Sequence, residues 1–514
     1  MRYHNLVYTY HVENFGCRAT QADGAAFERQ FETRGLARAT SAQADLVILN
    51  TCTVTNAADQ DARAAIRRVQ RQNPLARIIV TGCYAQRAPA EIAALPGVTC
   101  VIGNSHKHQL AEIVLHNALA EAGCNAHDSD RREREGHDFS RAISTACGPA
   151  SAAEVESLGN PRAFLPLSTL TENRELRTEN RVFVSDIFAH TELLAAPVFD
   201  SASPSDRTRP NLKVQDGCDN RCSFCVIPSV RGHSRSLPLP EIIREVNTLV
   251  AAGYRELVIS GINLGRWGRD LVWGGRPRPP KLTRSTSPPR FEDLVKAILR
   301  ETQLEKLRIS SVEPMDWSDD LIALVASSPR IARHAHVPLQ SGSDAVLRRM
   351  HRKYRPWHYR EKIEKIRSAM PTAAIGADVM TGFPGETDAE FEATRRLIED
   401  LPFTYLHVFT YSARPGTPAA AMPNQVPVHL ARERNKILRD LAAEKKLAFM
   451  ESFIGKKLEA ITLNVAHARD DESFTEALTD NYQKLYLKGR HTPNRWITAQ
   501  IEGVSDSAFV GRAE

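Results

Sequence analysis

Short apolar runs alternate with amphipathic helical patterns over roughly the first 115 residues. The runs "NLVYTYHV", "ADLVILN", "ARIIVTG" and "VTCVIGN" each lead through a short polar loop into a helical pattern. β-Branched runs separated by helices predict a parallel sheet with helices wound around it. We assign residues 3–118 to this N-terminal domain.

This periodicity is lost over residues 119–203. The segment "DSDRREREGHDFSRAIS" is dense in charge, and "GPASAAEVESLGNPRAF" is rich in Ser, Pro and Gly. Such compositions favour an irregular and partly disordered linker or insertion. Within it, "RVFVSDIF" is a candidate short strand.

The alternation of apolar runs with helical patterns resumes over residues 204–448. Over residues 449–514 the apolar runs continue without helical patterns between them. Six runs, "NLKVQ", "ELVIS", "KLRIS", "HAHVPL", "AAIGADVM" and "YLHVFTY", are separated by helical patterns. They predict a partial (β/α)6 barrel with its chemistry at the carboxyl ends of the strands. The last residues form short alternating runs without helices between them, which predicts a small antiparallel β-barrel. The fold class is therefore α/β, with three domains.

Composition and charge bear on the binding partner, the cellular location and the chemistry of the cysteines. The 514 residues include 67 Lys+Arg and 61 Asp+Glu, and this net charge of +6 is compatible with a nucleic-acid partner without requiring one. The N-terminus lacks the pattern of a signal peptide, and no apolar run reaches about 18 residues. We expect a cytoplasmic protein without a membrane partner. Nine cysteines, an odd number, favour metal or redox chemistry over a disulfide framework.

Three cysteines lie close together in "GCDNRCSFCVIPSVRG", directly after the first barrel strand. Cys218, Cys222 and Cys225 have the spacing C-x3-C-x2-C. Three thiolates can bind three irons of a [4Fe–4S] cluster and leave the fourth iron open to a small molecule. The alternatives are buried structural cysteines, or a zinc site with His233 as its fourth ligand.

Three further cysteines, Cys17, Cys52 and Cys83, are far apart in sequence, yet each lies just past a strand and just before a helix. Loops after successive parallel strands meet at one edge of a sheet, so these thiols are expected to converge as a second site. The alternative is that they are small buried side chains. Cys100 is expected in the core, and Cys124 and Cys147 are expected to be incidental.

Polar and glycine residues mark the ends of later barrel strands. Glu313, Gln340 and Glu386 are expected to face the mouth of the barrel, and Gly382 and Gly385 would permit close approach of a ligand. The alternative for each is a role in a turn or a helix cap.

The motif "GCDNRCSFCVIPSVRG", with Phe224 before its last cysteine, resembles the radical S-adenosylmethionine (SAM) superfamily and, within it, the methylthiotransferases. "VISGINLGRWG", "RISSVEP", "HVPLQSGSDAVLRRMHRKY" and "GADVMTGFPGETDAEF" resemble the same family. The resemblance covers roughly residues 5–115 and 210–514. One departure is Thr20, where the family commonly has Asn; this puts a contact near a cluster in doubt, not a ligand.

The resemblance implies two [4Fe–4S] clusters and SAM as cofactors. The cluster on Cys218, Cys222 and Cys225 would bind SAM at its open iron, and an auxiliary cluster would be held by Cys17, Cys52 and Cys83. We place Gly382, Glu386 and Gln340 in the SAM pocket. One SAM would methylate a sulfur on the auxiliary cluster, and a second would be cleaved to a 5′-deoxyadenosyl radical. A flavodoxin- or ferredoxin-like electron donor and a sulfur source are further implied partners.

The same resemblance bears on the substrate. Family members modify tRNA at the adenosine 3′ of the anticodon or an aspartate of a ribosomal protein. "NTCTVTNAADQDARAAIRR" resembles the subgroup that acts on N6-threonylcarbamoyladenosine, and the hydroxyls of Thr53 and Thr55 are expected to face that modification. The C-terminal barrel resembles the RNA-binding TRAM domain. The alternatives are action on N6-isopentenyladenosine tRNA, action on the ribosomal-protein aspartate, and a non-catalytic iron–sulfur RNA-binding protein, which retention of both triads disfavours.

Two basic segments are candidates for contact with RNA. The run "LRRMHRKYRPWHYREK" is expected to form one helix with a basic face and interleaved aromatic rings, and a solvated helix surface is the alternative. The insertion "LVWGGRPRPPKLTRSTSPPR" could touch RNA or be a disordered loop. Its basic residues are Arg276, Arg278, Lys281, Arg284 and Arg290.

Overall fold

A parallel sheet forms the N-terminal domain in the computed structural model, which describes residues 8–117, 181–194, 209–271, 288–469 and 472–514. Its strands are β1 (Thr9–Asn14), β2 (Ala37–Arg38), β3 (Leu46–Thr51), β4 (Arg77–Gly82), β5 (Val98–Gly103) and β6 (Arg181–Phe183). Its helices are α1 (Arg18–Glu32), α2 (Asn56–Gln72), α3 (Cys83–Arg87), α4 (Pro89–Ala93) and α5 (110–117). The strand order is β2-β1-β3-β4-β5-β6 with every pair parallel, which confirms the predicted wound sheet.

Strand β6 comes from the segment that we assigned to the linker. It pairs with β5 at the edge of the sheet, and Phe183 packs against the apolar cluster beneath α1. Ile187, a few residues later, is buried. This part of the expected linker therefore belongs to the N-terminal sheet. Cys124, Cys147, Arg276, Arg278, Lys281 and Arg284 lie outside the described residues.

Six parallel strands form the central partial barrel, as predicted. They are β7 (Asn211–Asp216), β9 (Glu256–Gly261), β10 (Lys306–Ile309), β11 (His334–His336), β12 (Ala374–Thr381) and β13 (Tyr405–Thr410), and the short β8 (Arg235–Ser236) pairs antiparallel with β7. The sheets β10-β9-β7-β8 and β11-β12-β13 meet at a parallel bridge between Leu307 and Ile331.

Helices cover the outside of this barrel. They are α6 (Ile227–Arg231), α7 (Leu239–Ala251), α8 (Phe291–Glu301), α9 (Asp319–Ser327), α10 (Asp344–Arg349), α11 (Pro356–Ala369), α12 (Asp388–Asp400) and α13 (Val428–Glu451). Apolar side chains of the strands and helices form the largest core cluster of the described chain. None of the helices in the described ranges has the length and apolar character needed to cross a membrane.

The predicted basic helix is wrong. The segment is divided into α10, which ends at Arg349, and α11, which begins at Pro356. Proline lacks the backbone N–H and fixes φ, so it suits the first turn of a helix and not its interior. Tyr354 and Tyr359 are buried in the core, and Arg349 pairs with Glu390. A continuous basic and aromatic face for RNA is therefore absent from this described segment.

The C-terminal domain is a closed barrel of five strands. They are β14 (Lys457–Arg469), β15 (Glu472–Thr479), β16 (Lys484–Lys488), β17 (Trp496–Ser505) and β18 (Ala508–Ala513), in the order β14-β15-β16-β18-β17. All pairs are antiparallel except β16 with β18, which is parallel. The predicted small β-barrel is confirmed, apart from that one pair.

The turn between β15 and β16 closes the amino end of the central barrel. Tyr482 in this turn lies 4.8 Å from the His334 ring and 5.0 Å from the Arg308 guanidinium. The Arg333 backbone N–H donates to Asp480 at 3.0 Å. Because His334 and Arg308 belong to barrel strands, the C-terminal domain supplies the floor of the barrel interior.

Candidate functional site

The structure places Cys17, Cys52 and Cys83 at one edge of the N-terminal sheet. Cys17 precedes α1, Cys52 follows β3, and Cys83 begins α3. Gly16 has φ +104°, and a Cβ added there would lie 2.5 Å from Cys52 Cβ, so the loops approach closely because residue 16 is glycine. Burial raises the pKa of the Cys52 thiol to about 12, and the nearby Cys83 and Cys17 thiols contribute to the increase. The three sulfurs therefore form one local group.

Cys218, Cys222 and Cys225 form a second group in the loop between β7 and α6. Burial raises the pKa of Cys225 to about 12, and the Cys222 and Cys218 thiols contribute. The backbone N–H of Asn220 donates to Cys218 Sγ at 3.4 Å. His233 Nδ1 lies 2.8 Å from Asp219 Oδ1 in an exposed pair.

The two thiol groups share a wall formed by α3 and α6. Cys83, at the start of α3, packs against Val226 and Val230, which follow Cys225 in the chain. The Asn104 side-chain amide donates to the Val230 carbonyl at 2.7 Å and lies 3.5 Å from Cys83 Sγ. The N-terminal domain is therefore docked with its thiols facing the mouth of the barrel.

A buried ionic network crosses the same interface. Asp23 and Asp216 are surrounded by three cations, all at most 1% exposed: Lys107, Lys213 and Arg231. Arg231 contacts Asp216 at 2.9 Å and Asp23 at 3.0 Å. Three cations against two carboxylates leave an excess positive charge, and isolated buried charge is costly.

The excess positive charge lies beside the thiols of the N-terminal domain. Although burial opposes it, Asp216, Cys83, Asp23 and Cys17 raise the pKa of Arg231 well above its ordinary value. A [4Fe–4S] cluster held by three thiolates carries net negative charge and would balance the network. The charge and donor set around Cys17, Cys52 and Cys83 therefore fit an auxiliary cluster.

The second thiol group also fits a cluster. Arg352 donates to Cys222 Sγ at 3.3 Å and forms an ion pair with Glu313, and the Asn263 amide lies 3.6 Å from Cys218 Sγ. Burial raises the pKa of Glu313, with Arg352 opposing the increase. Donors to sulfur stabilise the thiolate form that binds iron.

The residues expected in the SAM pocket lie at the carboxyl ends of two neighbouring strands, β11 and β12. Gln340 is at the barrel mouth after β11, in the left-handed region with φ +64°, and its N–H donates to the Asp378 carbonyl at 2.8 Å. The buried Glu386 carboxylate accepts from the Gly382 N–H and pairs with Arg434 of α13, each at 2.8 Å. A Cβ on Gly382 would clash with Ala431, also in α13. The observed contacts of Glu386 and Gly382 match the turn alternative, and the placement of all three residues in the SAM pocket stays a prediction.

The hydroxyls of Thr53 and Thr55, which we expected to face the modification of the base, make hydrogen bonds within the protein. Thr53 is fully buried; its hydroxyl donates to Asp59 at 2.6 Å and accepts from Arg414 at 2.8 Å. The Thr55 hydroxyl caps α2 by accepting from the Ala58 N–H. Arg414 follows β13, so Thr53 helps to bind the N-terminal domain to the barrel instead of facing a substrate.

Sequence reasoning missed Arg352, Arg231 and Asn263. Arg231 and Asn263 stand inside the quoted motifs "CVIPSVRG" and "VISGINLG", but nothing in those motifs says where their side chains point. Arg352 lies in the run that predicts one basic helix, but the helix breaks between α10 and α11, just before Pro356. That proline is the signal that could have separated it from α11.

Comparisons with known proteins identify the class. Residues 212–398 match the radical SAM superfamily, and residues 9–103 match the uncharacterized protein family UPF0004. A radical SAM methyltransferase, TsrM, from Kitasatospora setae, solved with tryptophan and a SAM analogue, shares the fold with a TM-score of 0.51 at 15% identity, covering 80% of this chain and 75% of that one. The partial barrel with its three-thiol loop is that of a radical SAM enzyme.

Sequence relatives identify the family within the radical SAM superfamily. The threonylcarbamoyladenosine tRNA methylthiotransferase MtaB of Bacillus subtilis is 33% identical over 92% of this chain and 89% of its own length. MtaB of Rickettsia prowazekii is 32% identical over 92% and 91%. The tRNA-2-methylthio-N(6)-dimethylallyladenosine synthase of Novosphingobium aromaticivorans is 32% identical over 88% and 86%. The chain belongs to the MtaB-like methylthiotransferase family.

A substitution at Arg352 tests the SAM-binding cluster site. Arg352→Leu removes the donor to Cys222 and leaves the partly buried Glu313 without its cation. We expect cluster affinity to fall about 10- to 100-fold, as for other residues that support metal ligands. Iron content and the electron paramagnetic resonance (EPR) signal would be measured in a background lacking the other three thiols. Arg355→Leu, which removes a pair with Asp344, is the control. Unchanged iron retention in Arg352→Leu would contradict the assignment.

Proposed function

We propose that this chain adds a 2-methylthio group to N6-threonylcarbamoyladenosine at tRNA position 37, next to the anticodon, using two SAM molecules and two [4Fe–4S] clusters. The observation that carries the proposal is the docking of two separate three-thiol groups against one wall, α3 with α6, at the mouth of a radical SAM barrel. The family of the chain and the names of its relatives support the same reaction.

The chain's own residues hold and enclose this site. When bound, the clusters and SAM supply the radical and methyl-transfer chemistry. Cys218, Cys222 and Cys225 would hold the SAM-binding cluster with support from Arg352, and Cys17, Cys52 and Cys83 would hold the auxiliary cluster. The N-terminal domain packs against the barrel beside both thiol groups, through Cys83, Val226 and Val230.

The choice of substrate depends on the barrel interior. Overall identity does not separate the alternatives, because MtaB and dimethylallyladenosine relatives are similarly close. Three polar side chains, His336, Asp378 and His407, lie together inside the barrel. A threonylcarbamoyl group offers a carboxylate, a hydroxyl and a urea to such residues, whereas an isopentenyl group would leave them unpaired.

Other partners follow from the proposed reaction. Reductive cleavage of SAM needs an electron donor, for which a flavodoxin- or ferredoxin-like protein is the proposed class, and the inserted sulfur needs a source. tRNA would be the macromolecular substrate, with the C-terminal barrel as a TRAM-like contact. We propose that the protein acts in the cytoplasm, where tRNA is modified.

Nucleoside mass spectrometry tests the function. tRNA from a strain lacking the gene should contain N6-threonylcarbamoyladenosine without its 2-methylthio derivative, and the wild-type chain should restore the derivative. In vitro, tRNA lacking the threonylcarbamoyl group should react poorly, because the polar side chains of the barrel would lose their partners. Product found only on isopentenyladenosine, or only on a ribosomal-protein aspartate, would overturn the proposed substrate.

A further inference from the structure

The inner face of the barrel carries a polar group that neither cluster site uses. Along β11 and β12, Ala335, Val337, Ala377 and Val379 pack outward in the core with the helices. Side chains alternate along a strand, so the residues between them point into the barrel. Register then brings three inner-face residues together: His336, Asp378 and His407.

This group has unused hydrogen-bonding capacity. The candidate ligand atoms of His336, Asp378 and His407 all lie within 4.8 Å of one another. His336 is only 6% exposed, yet neither ring nitrogen makes a hydrogen bond; Nε2 lies 3.4 Å from Asp378 Oδ1 without suitable geometry. Buried polar atoms are normally satisfied, so a polar ligand is the expected partner.

A metal ion fits this group poorly. A histidine that binds a metal normally donates its other ring N–H to a neighbouring acceptor, and His336 Nδ1 has no such partner among the described residues. A cation is also already present close by. Arg18, next to Cys17, reaches the barrel floor and donates to the Tyr482 hydroxyl at 3.0 Å.

Arg18 is joined to the polar group by a continuous set of rings. The Tyr482 ring lies 6.3 Å from the Tyr405 ring, which lies 5.3 Å from His407. Burial lowers the pKa of His407, and the neighbouring His336 and Arg18 lower it further while Asp378 opposes them. His407 is therefore neutral near pH 7, and Arg18 is the arginine whose charge acts on it.

The Arg18 guanidinium lacks a carboxylate partner. It is half-buried, and within the described ranges it makes no ion pair; it donates to a neutral hydroxyl, that of Tyr482. Nearby cations of the barrel differ in this respect, since Arg308 pairs with Glu256 and Arg352 pairs with Glu313. A half-buried, unpaired guanidinium suits an anionic ligand, and carboxylate is the anion that matches its planar donors.

We propose that Arg18 binds the carboxylate of the threonylcarbamoyl group inside the barrel, where Asp378, His336 and His407 bind its hydroxyl and urea groups. This inference rests on the proposed function and makes Arg18 a specificity-determining residue. Because Arg18 directly follows Cys17, the start of α1 would position both the auxiliary cluster and the substituent of the base. An isopentenyl group would bury the guanidinium without a partner.

Binding to anticodon stem-loop RNA tests the role of Arg18. Three RNAs would be compared: one with N6-threonylcarbamoyladenosine, one with the carboxylate replaced by a neutral carboxamide, and one with unmodified adenosine. Wild-type protein should bind the acid about 10- to 100-fold more tightly than the amide, the range for a charge-assisted hydrogen bond. Arg18→Gln should bind both equally, and Arg18→Lys should restore part of the preference.

Controls separate recognition from damage to the cluster. Arg29→Gln changes an exposed arginine of the same helix, which pairs with Glu245, and should leave the preference for the acid unchanged. Iron content and EPR should be the same in wild type and Arg18→Gln, because Arg18 is not a thiol ligand. The amide RNA adds an internal control, since a purely structural defect would weaken acid and amide alike.

The outcomes distinguish this inference from the proposed function. If wild-type protein methylthiolates the threonylcarbamoyl RNA but Arg18→Gln keeps the preference for acid over amide, the assignment of Arg18 is overturned and the function stands. If wild-type protein modifies only isopentenyladenosine RNA, the proposed substrate fails and the inference fails with it. Loss of the preference in Arg18→Gln, with turnover of the threonylcarbamoyl RNA by wild type, supports both.

Discussion

Replacing Cys218, Cys222 and Cys225 together with Ala is expected to abolish formation of 5′-deoxyadenosine from SAM and to lower the iron content from about eight to about four atoms per chain. The physical reason is that these thiols form a group of their own in the loop after β7. The other three thiols remain at the edge of the N-terminal sheet and can still hold a cluster.

The matched control is replacement of Cys17, Cys52 and Cys83 by Ala. That protein should also keep about four irons and should still cleave SAM slowly, without thiomethylated product. Iron analysis and chromatography of the nucleoside products after anaerobic reconstitution would measure both effects. A wild-type content near four irons would refute two clusters, and equal loss of SAM cleavage in both variants would contradict their separate roles.

With the auxiliary cluster bound, Arg231→Met is expected to lower the free energy of unfolding by about 3–5 kcal/mol, because the negative cluster and two carboxylates then exceed the charge of the two remaining lysines. Arg231, like the two lysines of the network, contacts both Asp23 and Asp216, and its charge also interacts with the Cys83 and Cys17 thiols. Its loss also removes the excess positive charge facing the auxiliary cluster. Since net charge helps to set cluster potentials, the midpoint potential should become more negative.

A variant elsewhere in the barrel separates the loss of stability from the shift of the midpoint potential. Arg434 is similarly buried and pairs with Glu386 against α12 and α13. Arg434→Met should destabilise the fold without shifting the potential of the auxiliary cluster. Redox titration followed by EPR, in the protein lacking Cys218, Cys222 and Cys225, would report that cluster alone. An unchanged potential in Arg231→Met with the cluster bound would show that the network does not act on it.

Several features of the site were predictable because they depend on strand periodicity. Each cysteine of the first triad follows a parallel strand, and parallel strands place their carboxyl ends at one edge whatever the side-chain packing. The second triad is local in sequence and needed no tertiary information. The central barrel likewise follows from the alternation of apolar runs with helical patterns. The C-terminal barrel follows from short apolar runs that have no helical patterns between them.

Side-chain direction was not predictable from the same pattern. Thr53 and Glu386 are polar residues at strand ends, which suggested contact with ligands, but Arg414 and Arg434 from distant elements pair with them instead. These arginines are hundreds or tens of residues away along the chain. A hydrogen bond depends on three-dimensional approach within about 3 Å, which local periodicity does not encode.

The amino-acid sequence by itself therefore determined the class of the three domains, the two thiol triads and the family, because each depends on local spacing or on the order of strands and helices. Only the tertiary structure decided how the parts act together. It placed Arg231 between two carboxylates and the first triad, turned Arg352 towards Cys222, and brought Arg18 to the floor of the barrel. Charges separated by up to hundreds of residues become partners only when folding removes the water between them.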